Sequence, residues 1–211
     1  MDILATIISH MDWFLDHAVW REDSPLGGLW GSMLDLRTGL PPEGERNASV
    51  SKRCYRWIES PRGSNLYWDG PLVTACFAVS QRTGDPRYSQ AAGRYVSRYF
   101  DVAASPGGLL WWGNHYYVSR ETGGAVFFAG ESPPQPVDDR HASAPLHETR
   151  PLPVPWKLLH SLEPERTIRA LRAHVGHLVD GPEPGCFNRH ADGKRSHAFL
   201  EAGGLLALSQ A

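Results

Sequence analysis

The segment LYWDGPLVTACFAVSQRTGDPRYSQAAGRYVSRYF, residues 66–100, decides the fold. Its first half carries Leu72, Val73, Cys76, Phe77 and Ser80 at helical spacing, which predicts a helix from about Leu66 to Gln81. Thr83-Gly84-Asp85-Pro86 then closes that helix and opens another. Gly84 suits the left-handed C-cap, Asp85 the next N-cap, and Pro86 the first helical position, where no N–H is needed. Tyr88, Ala91, Ala92, Tyr95, Val96, Tyr99 and Phe100 then mark the apolar face of a helix from Pro86 to Phe100. Two helices joined by so short a turn must pack as antiparallel neighbours.

The same pattern extends in both directions. Ile3, Leu4, Ile7, Ile8, Met11, Phe14, Leu15, Ala18 and Val19 predict a helix that stops before Asp23-Ser24-Pro25. Trp156, Leu158, Leu159 and Leu162 predict another, and Pro164 opens the next, with Ile168, Leu171, Val175, Leu178 and Val179 inside. A last helix is expected over His197 to Leu208, weakened by Gly203 and Gly204 at up to roughly 1 kcal/mol each. The connecting loops repeat at about 80 residues. Gly28-Leu29-Trp30-Gly31 leads to Asp35-Leu36-Arg37-Thr38-Gly39, and Gly108 to Gly113 leads to Arg120-Glu121-Thr122-Gly123. Gly185-Cys186-Phe187 leads to His190-Ala191-Asp192-Gly193. Helix pairs joined by a recurring decorated loop make an array that must close or be capped. The alternating Trp112, His115, Tyr117 predicts a small β-hairpin within a loop. Ala129 to Pro145, rich in Pro, Asp and Ser, is expected to be a mobile loop within a single domain over residues 1–211. Leu205-Leu206-Ala207-Leu208 ends the pattern without a polar cap, which reads as a fragment or a truncated ring.

Composition narrows the function. The net charge is -2 and no basic stripe is present, so nucleic acid is not an expected partner. No apolar run is long enough to span a bilayer, so no membrane partner is expected. Residues 1–20 carry Asp2, Asp12 and Asp16 and no basic n-region, so they do not read as a secretion signal. The expectation is a cytoplasmic chain, or one whose leader has been removed. Cys54, Cys76 and Cys186 form no CxxC pair and read as reduced thiols. The sequence has 8 Trp, 7 Tyr, 21 Gly and 17 Pro. Tryptophan faces stack on sugar rings, although about half of these are expected in the core.

Four clusters could carry chemistry. Arg62-Gly63-Ser64-Asn65 precedes the Leu66 helix, where Ser64 or Asn65 could cap it and Arg62 could attract an anion. Trp111-Trp112-Gly113-Asn114-His115-Tyr116-Tyr117 crowds stacking surface, amide, imidazole and phenols together. These are the types that β-elimination beside a carboxylate needs: His115 or Tyr116 takes the proton, and Asn114 neutralises the carboxylate. His147-Glu148-Thr149-Arg150 offers a second base and a cation for an acidic sugar. Asn188-Arg189-His190 occupies the equivalent place in the third loop. Each has an ordinary alternative: a helix cap, a packed aromatic hairpin, a solvated helix entry or a polar loop. His174 and His177 lack a third metal ligand, and no dinucleotide, P-loop, nucleophile-elbow or zincin motif is present.

Arg62 to Leu66, Thr83 to Tyr88, Trp112 to Tyr117, and His147-Glu148 with Pro153 to Trp156 occur in an order that resembles a bacterial, often planctomycete, group of six-hairpin glycosidase type described as pectate lyase-like. The resemblance covers nearly the whole chain. It implies an all-α fold, an incomplete (α/α) toroid of antiparallel helical hairpins with small β-hairpin loops on one face. It implies a polysaccharide or oligosaccharide partner and β-elimination on a uronate-containing chain. Asn114, His115, Tyr116 and His147 would then be catalytic, with Arg62, Asn65, Trp111, Trp112, Arg150, Arg189 and His190 binding substrate. No cofactor is required, although calcium assists some enzymes of this kind. Three alternatives stand beside it. A glycoside hydrolase would need two carboxylates about 5–10 Å apart, drawn from Asp69, Glu148 and Glu201. A sugar epimerase would use two histidines. A non-catalytic carbohydrate-binding fragment would need neither.

Overall fold

Asp2 accepts the backbone N–H groups of Leu4 and Ala5 at 3.0 and 3.3 Å, and this cap starts helix α1 (Ile3–Ala18). The computed structural model describes residues 2–40, 63–113, 115–127, 134–138 and 154–175. Within them the order continues with β1 (Gly63–Ser64), α2 (Leu66–Thr83), α3 (Arg87–Ala103), β2 (Tyr116–Ser119), β3 (Gly124–Phe127), β4 (Gln135–Pro136), α4 (Trp156–Leu162) and α5 (Pro164–Val175). The chain is helix-rich and also carries a four-stranded antiparallel sheet in the order β1-β2-β3-β4.

The Gly84 turn forms as expected. Gly84 sits at φ 77 and its N–H reaches the Ser80 carbonyl at 2.9 Å, ending α2. Helix α3 begins one residue past the expected Pro86, while Asp85 still accepts the Arg87 N–H at 3.0 Å. Helix α3 lies at the centre of the fold. Its Tyr88, Ala92, Tyr95, Val96, Tyr99 and Phe100 are buried, and burying each large side chain contributes about 1.5–3 kcal/mol. Trp30 stacks flat on Tyr95, with ring centroids 4.2 Å apart and planes 8° apart. Trp20, Trp30, Trp111, Trp112 and Trp156 are buried, while Trp13 and Trp68 are half-buried.

The loop repeat read from the sequence is a repeat of hydrogen bonds. After α1, Trp20 N–H donates to the Leu29 carbonyl at 2.8 Å and Gly31 N–H to the Ala18 carbonyl at 2.8 Å. After α3, Ser105 N–H donates to the Leu109 carbonyl at 2.8 Å and Trp111 N–H to the Ala103 carbonyl at 2.6 Å. Both loops then make the same turn. Asp35 accepts Arg37 N–H on its side chain and Gly39 N–H on its carbonyl. Ser119 accepts Glu121 N–H and Gly123 N–H in the same two ways. Gly39 at φ 68 and Gly123 at φ 76 close the two turns.

The helices follow the same rule. The first residue of α3, Arg87, pairs with Asp12 of α1 at 2.6 Å, and Tyr88 donates to that carboxylate at 2.6 Å. Near the start of α5, Arg166 reaches the Ser97 carbonyl of α3 at 3.2 Å and Asp101 at 2.7 Å. Tyr88 and Thr167, near the starts of α3 and α5, are buried, whereas Ile3, the first residue of α1, is 75% exposed.

Two sequence expectations change in form. The hairpin expected near Trp112 to Tyr117 exists as β2–β3, but it recruits β1 and β4 into a wider sheet. Part of the segment expected to be mobile therefore supplies edge strand β4, where Pro136 needs no ladder N–H. The helix expected over His197 to Leu208 and the third loop repeat lie outside the described residues.

Strand β1 joins the sheet only because Gly63 has no side chain. A Cβ there would meet the Tyr117 ring at 2.3 Å and the Val118 carbonyl at 3.0 Å. Gly63→Ala is expected to separate β1 from β2 and lower stability by about 1–3 kcal/mol in urea denaturation. An unchanged midpoint would contradict the packing. Cys76 is fully buried in α2, and burial pushes its thiol up to about 12. Peptide mapping after mild alkylation should find Cys76 unmodified in the folded protein and labelled only in denaturant.

Candidate functional site

The start of α2 is where the two loop repeats meet. Asn65 takes the N-cap position with extended backbone, φ -147 and ψ 92, but its side chain does not cap. The amide instead turns to the second loop. It donates to the Gly113 carbonyl at 2.7 Å and the Tyr116 carbonyl at 3.1 Å, and accepts Gly113 N–H at 3.1 Å. Trp68 Nε1 donates to the same Gly113 carbonyl at 3.1 Å. A side chain that both donates to and accepts from backbone fixes its own orientation and the loop's course. Gly113 itself holds φ 89.

The first loop arrives on the other side. Asp69, in the first turn of α2, is buried. Its Oδ2 accepts from Tyr95 OH at 2.6 Å and Ser32 Oγ at 2.9 Å, with a longer contact from Asn65 N–H at 3.4 Å. Asn65 N–H also reaches Ser32 Oγ at 3.0 Å, and Ser64 Oγ donates to Tyr95 OH at 3.1 Å. Three segments, the first loop, the start of α2 and α3, are thus tied through one carboxylate oxygen. Burial pushes the Asp69 carboxyl up to about 6 against these donors, and no Lys or Arg pairs with it among the described residues. Burial, aided by the Asp69 charge, holds Tyr95 and Tyr99 far above the ordinary phenol range.

Aromatic rings line the same region. Tyr67 meets Trp68 edge-on at 5.3 Å and Trp112 at 5.7 Å, and Trp112 meets Trp156 at 5.5 Å. Trp111 and Tyr116 lie 5.1 Å apart, and His115 lies 6.2 Å from Phe127. Of these, Trp68 and Phe127 keep part of their surface exposed.

The structure therefore joins the first two clusters, which the sequence separates by about fifty residues. Asn65, Trp111, Trp112, His115 and Tyr116 all come to this junction and all are buried. Burial raises the Tyr116 phenol above its ordinary range, so it keeps its proton at neutral pH. Arg62, Asn114, His147, Arg150, Arg189 and His190 lie outside the described residues. Sequence reasoning named Asp69 only as a hydrolase carboxylate and Ser64 only as a helix cap, and missed Ser32 and the role of Tyr95. The available signal was an aspartate in the first turn of an otherwise apolar helix start, beside a tyrosine inside an apolar stripe.

Among the described residues, no group of three His, Cys, Asp or Glu side chains is placed to hold a metal, and no helix is long and apolar enough to cross a membrane. No protein-family model and no curated protein matches the chain.

Proposed function

We propose that this is a carbohydrate-active protein, a partial (α/α) toroid whose recurring loops bind a uronate-containing polysaccharide and cleave it by β-elimination. The observation that carries the reading is the meeting of two equivalent loops at the start of α2. There Asn65 holds the backbone of Gly113 and Tyr116 beside the half-buried Trp68. A sugar ring stacks on an indole face, and rigid loops hold polar groups against its hydroxyls and carboxylate. The repeated relation of α1 to α3 and of α3 to α5 supports an array that builds such a face from successive loops.

In this reading, His115 in the second loop supplies the base, Asn114 and Arg62 neutralise the uronate, and Trp68 supplies the aromatic face, with Trp111 and Trp112 buried behind the loop. His147, Arg150, Arg189 and His190 would complete the substrate contacts. Calcium, where it assists, would supply positive charge to offset the uronate carboxylate. A glycoside hydrolase is the second reading, favoured by the raised pKa of the Asp69 carboxyl.

The test is a panel of acidic polysaccharides incubated with wild type and with an Asn114→Ala, His115→Ala double variant. Ultraviolet absorbance from the unsaturated uronate should rise with wild type and stay flat with the variant. Reducing ends released without that absorbance would replace elimination with hydrolysis.

A further inference from the structure

The two equivalent loops differ at one matched position. In the first, Trp20 N–H donates to the Leu29 carbonyl and Gly28 N–H returns to the Trp20 carbonyl at 3.1 Å. In the second, Ser105 N–H donates to the Leu109 carbonyl and Gly108 N–H returns to the Ser105 carbonyl at 2.8 Å. The bridges of Val19 with Trp30 and of Ala104 with Leu110 set the same register, so Ser105 stands where the first loop has Trp20. Between the matched bonds the first loop runs from Arg21 to Gly27, with Leu26 buried, whereas the second has only Pro106 and Gly107. The second loop thus lacks both the buried indole and the buried leucine of the first.

A cavity of about 410 Å³ lies beside the shorter loop, with Phe100, Asp101, Ser105, Gly108, Arg166 and Arg169 in its wall. That is larger than a bare ion needs and within the range that holds small organic molecules. Ser105 is 5% exposed, and its Oγ is buried without a hydrogen-bond partner among the described residues. Buried hydroxyls are nearly always satisfied, so this one calls for a partner from outside the chain. Arg169 is held against the loop. Gly108 sits at φ 96, and a Cβ there would meet Arg169 Cγ at 2.5 Å, so only glycine lets the arginine stem lie so close. The guanidinium donates to the Pro106 carbonyl, which uses only part of its donor set. Asp101 is already shared by Arg98 at 3.5 Å and Arg166 at 2.7 Å. Arg166 also reaches Glu163 at 3.6 Å, whereas Arg169 has no carboxylate partner among the described residues. The wall therefore carries excess positive charge beside an unsatisfied hydroxyl.

We propose that this cavity binds a small organic oxyanion, a carboxylate or a phosphate monoester, with Arg169 forked onto the anion and Ser105 Oγ donating to it. A guanidinium matches either group with paired N–H bonds, and a charged acceptor strengthens the bond from the hydroxyl. Phe100 and Pro106 give the rest of the molecule an apolar wall. The residues are separate from those that meet at the start of α2, so the proposal does not depend on the polysaccharide reading.

The experiment titrates the full chain calorimetrically with galacturonate, glucose 6-phosphate and glucose, each at low and high salt. The same titrations are run on Arg169→Gln and Ser105→Ala, with thermal melting as the check of the fold. At least one acid should bind, more weakly at high salt, and glucose should not. Arg169→Gln should weaken that binding by on the order of 10–100-fold and Ser105→Ala by about 3–10-fold. Ser105→Ala should melt no lower than wild type, because its hydroxyl serves no bond within the fold. Trp68→Ala should leave the binding unchanged, which separates this site from the polysaccharide face. Heat from galacturonate alone makes the ligand a carboxylate, and heat from glucose 6-phosphate alone makes it a phosphate; either supports the site. No heat from either acid overturns the proposal. So does binding that Arg169→Gln leaves intact, glucose bound as tightly as the acids, or a Ser105→Ala variant that melts lower.

Discussion

Asp69→Asn should raise the thermal stability of this protein at neutral pH, and the gain should disappear in acid. The sign follows from the direction of the shift. Burial raises the folded carboxyl from the ordinary aspartate value of 3.8 to about 6, so the folded state binds its proton more tightly than the unfolded chain does. Below about pH 4 both states are protonated and the residue costs nothing. As pH rises from about 4 to about 6 the unfolded state ionises while the folded state resists, and stability falls. Above about 6 the penalty is complete. Each pKa unit is about 1.4 kcal/mol, so the full effect is at most about 3 kcal/mol. The amide variant does not ionise and should escape it. Melting both proteins across this range checks the claim: the two curves should converge at low pH and separate through pH 4 to 6. Parallel curves would mean that Asp69 ionises freely in the folded state.

Asn65→Ala should be among the most destabilising single changes. The amide is 2% exposed and serves three backbone groups of the second loop. Removing it leaves the Gly113 N–H and the Tyr116 carbonyl without this partner, while Trp68 Nε1 still reaches the Gly113 carbonyl. At about 1–3 kcal/mol for each buried group left unsatisfied, the loss is about 3 kcal/mol or more. Asn65→Asp should be worse. It removes both donors, sets a carboxylate against two carbonyl oxygens, and places that charge beside Asp69. Urea denaturation should show a lower midpoint for both variants with the slope unchanged. Equal stability of the aspartate variant and wild type would contradict the hydrogen-bond assignment. Freeing the loop should also weaken any ligand that needs the Gly113 to Tyr116 backbone in place.

The helical part of this fold was legible because its signals are local. Gly84 and Asp85 carry the chemistry of a helix stop and a helix start, and the stripe from Tyr88 to Phe100 has one period. The recurring Gly-Leu-Trp loops were legible as words, and their hydrogen bonds proved to be the same words in three dimensions. The sheet was harder to read. Gly63-Ser64 and Gln135-Pro136 are two-residue strands, too short to show alternation, and they exist only because the β2–β3 hairpin offers two edges. The first-loop half of the junction was not legible at all. Ser32 and Tyr95 are common residue types at unremarkable positions, and only the approach of α2 and α3 gives them Asp69 as a shared partner. Asn65 was expected as a helix cap or a substrate ligand. Its side chain went to the second loop, a choice made by tertiary contacts rather than by the local sequence.

The repeated geometry also gives the proposed function a physical basis. A single helical hairpin presents one loop and a small face. Arg87 of α3 pairs with Asp12 of α1 and Arg166 of α5 pairs with Asp101 of α3, and in the proposed array such contacts would set successive loops side by side. A long polymer can engage several such loops at once, and modest contacts at each add along the chain. An extended polysaccharide, rather than a small metabolite, is therefore the proposed partner.

The most direct test of that claim is calorimetric titration of the purified protein with uronate-containing oligosaccharides of increasing length. The account predicts saturable binding that strengthens with length, is weakened by Trp68→Ala, and is not matched by a neutral oligosaccharide of the same size. The absence of heat for every uronate oligosaccharide, with the protein folded, would contradict it.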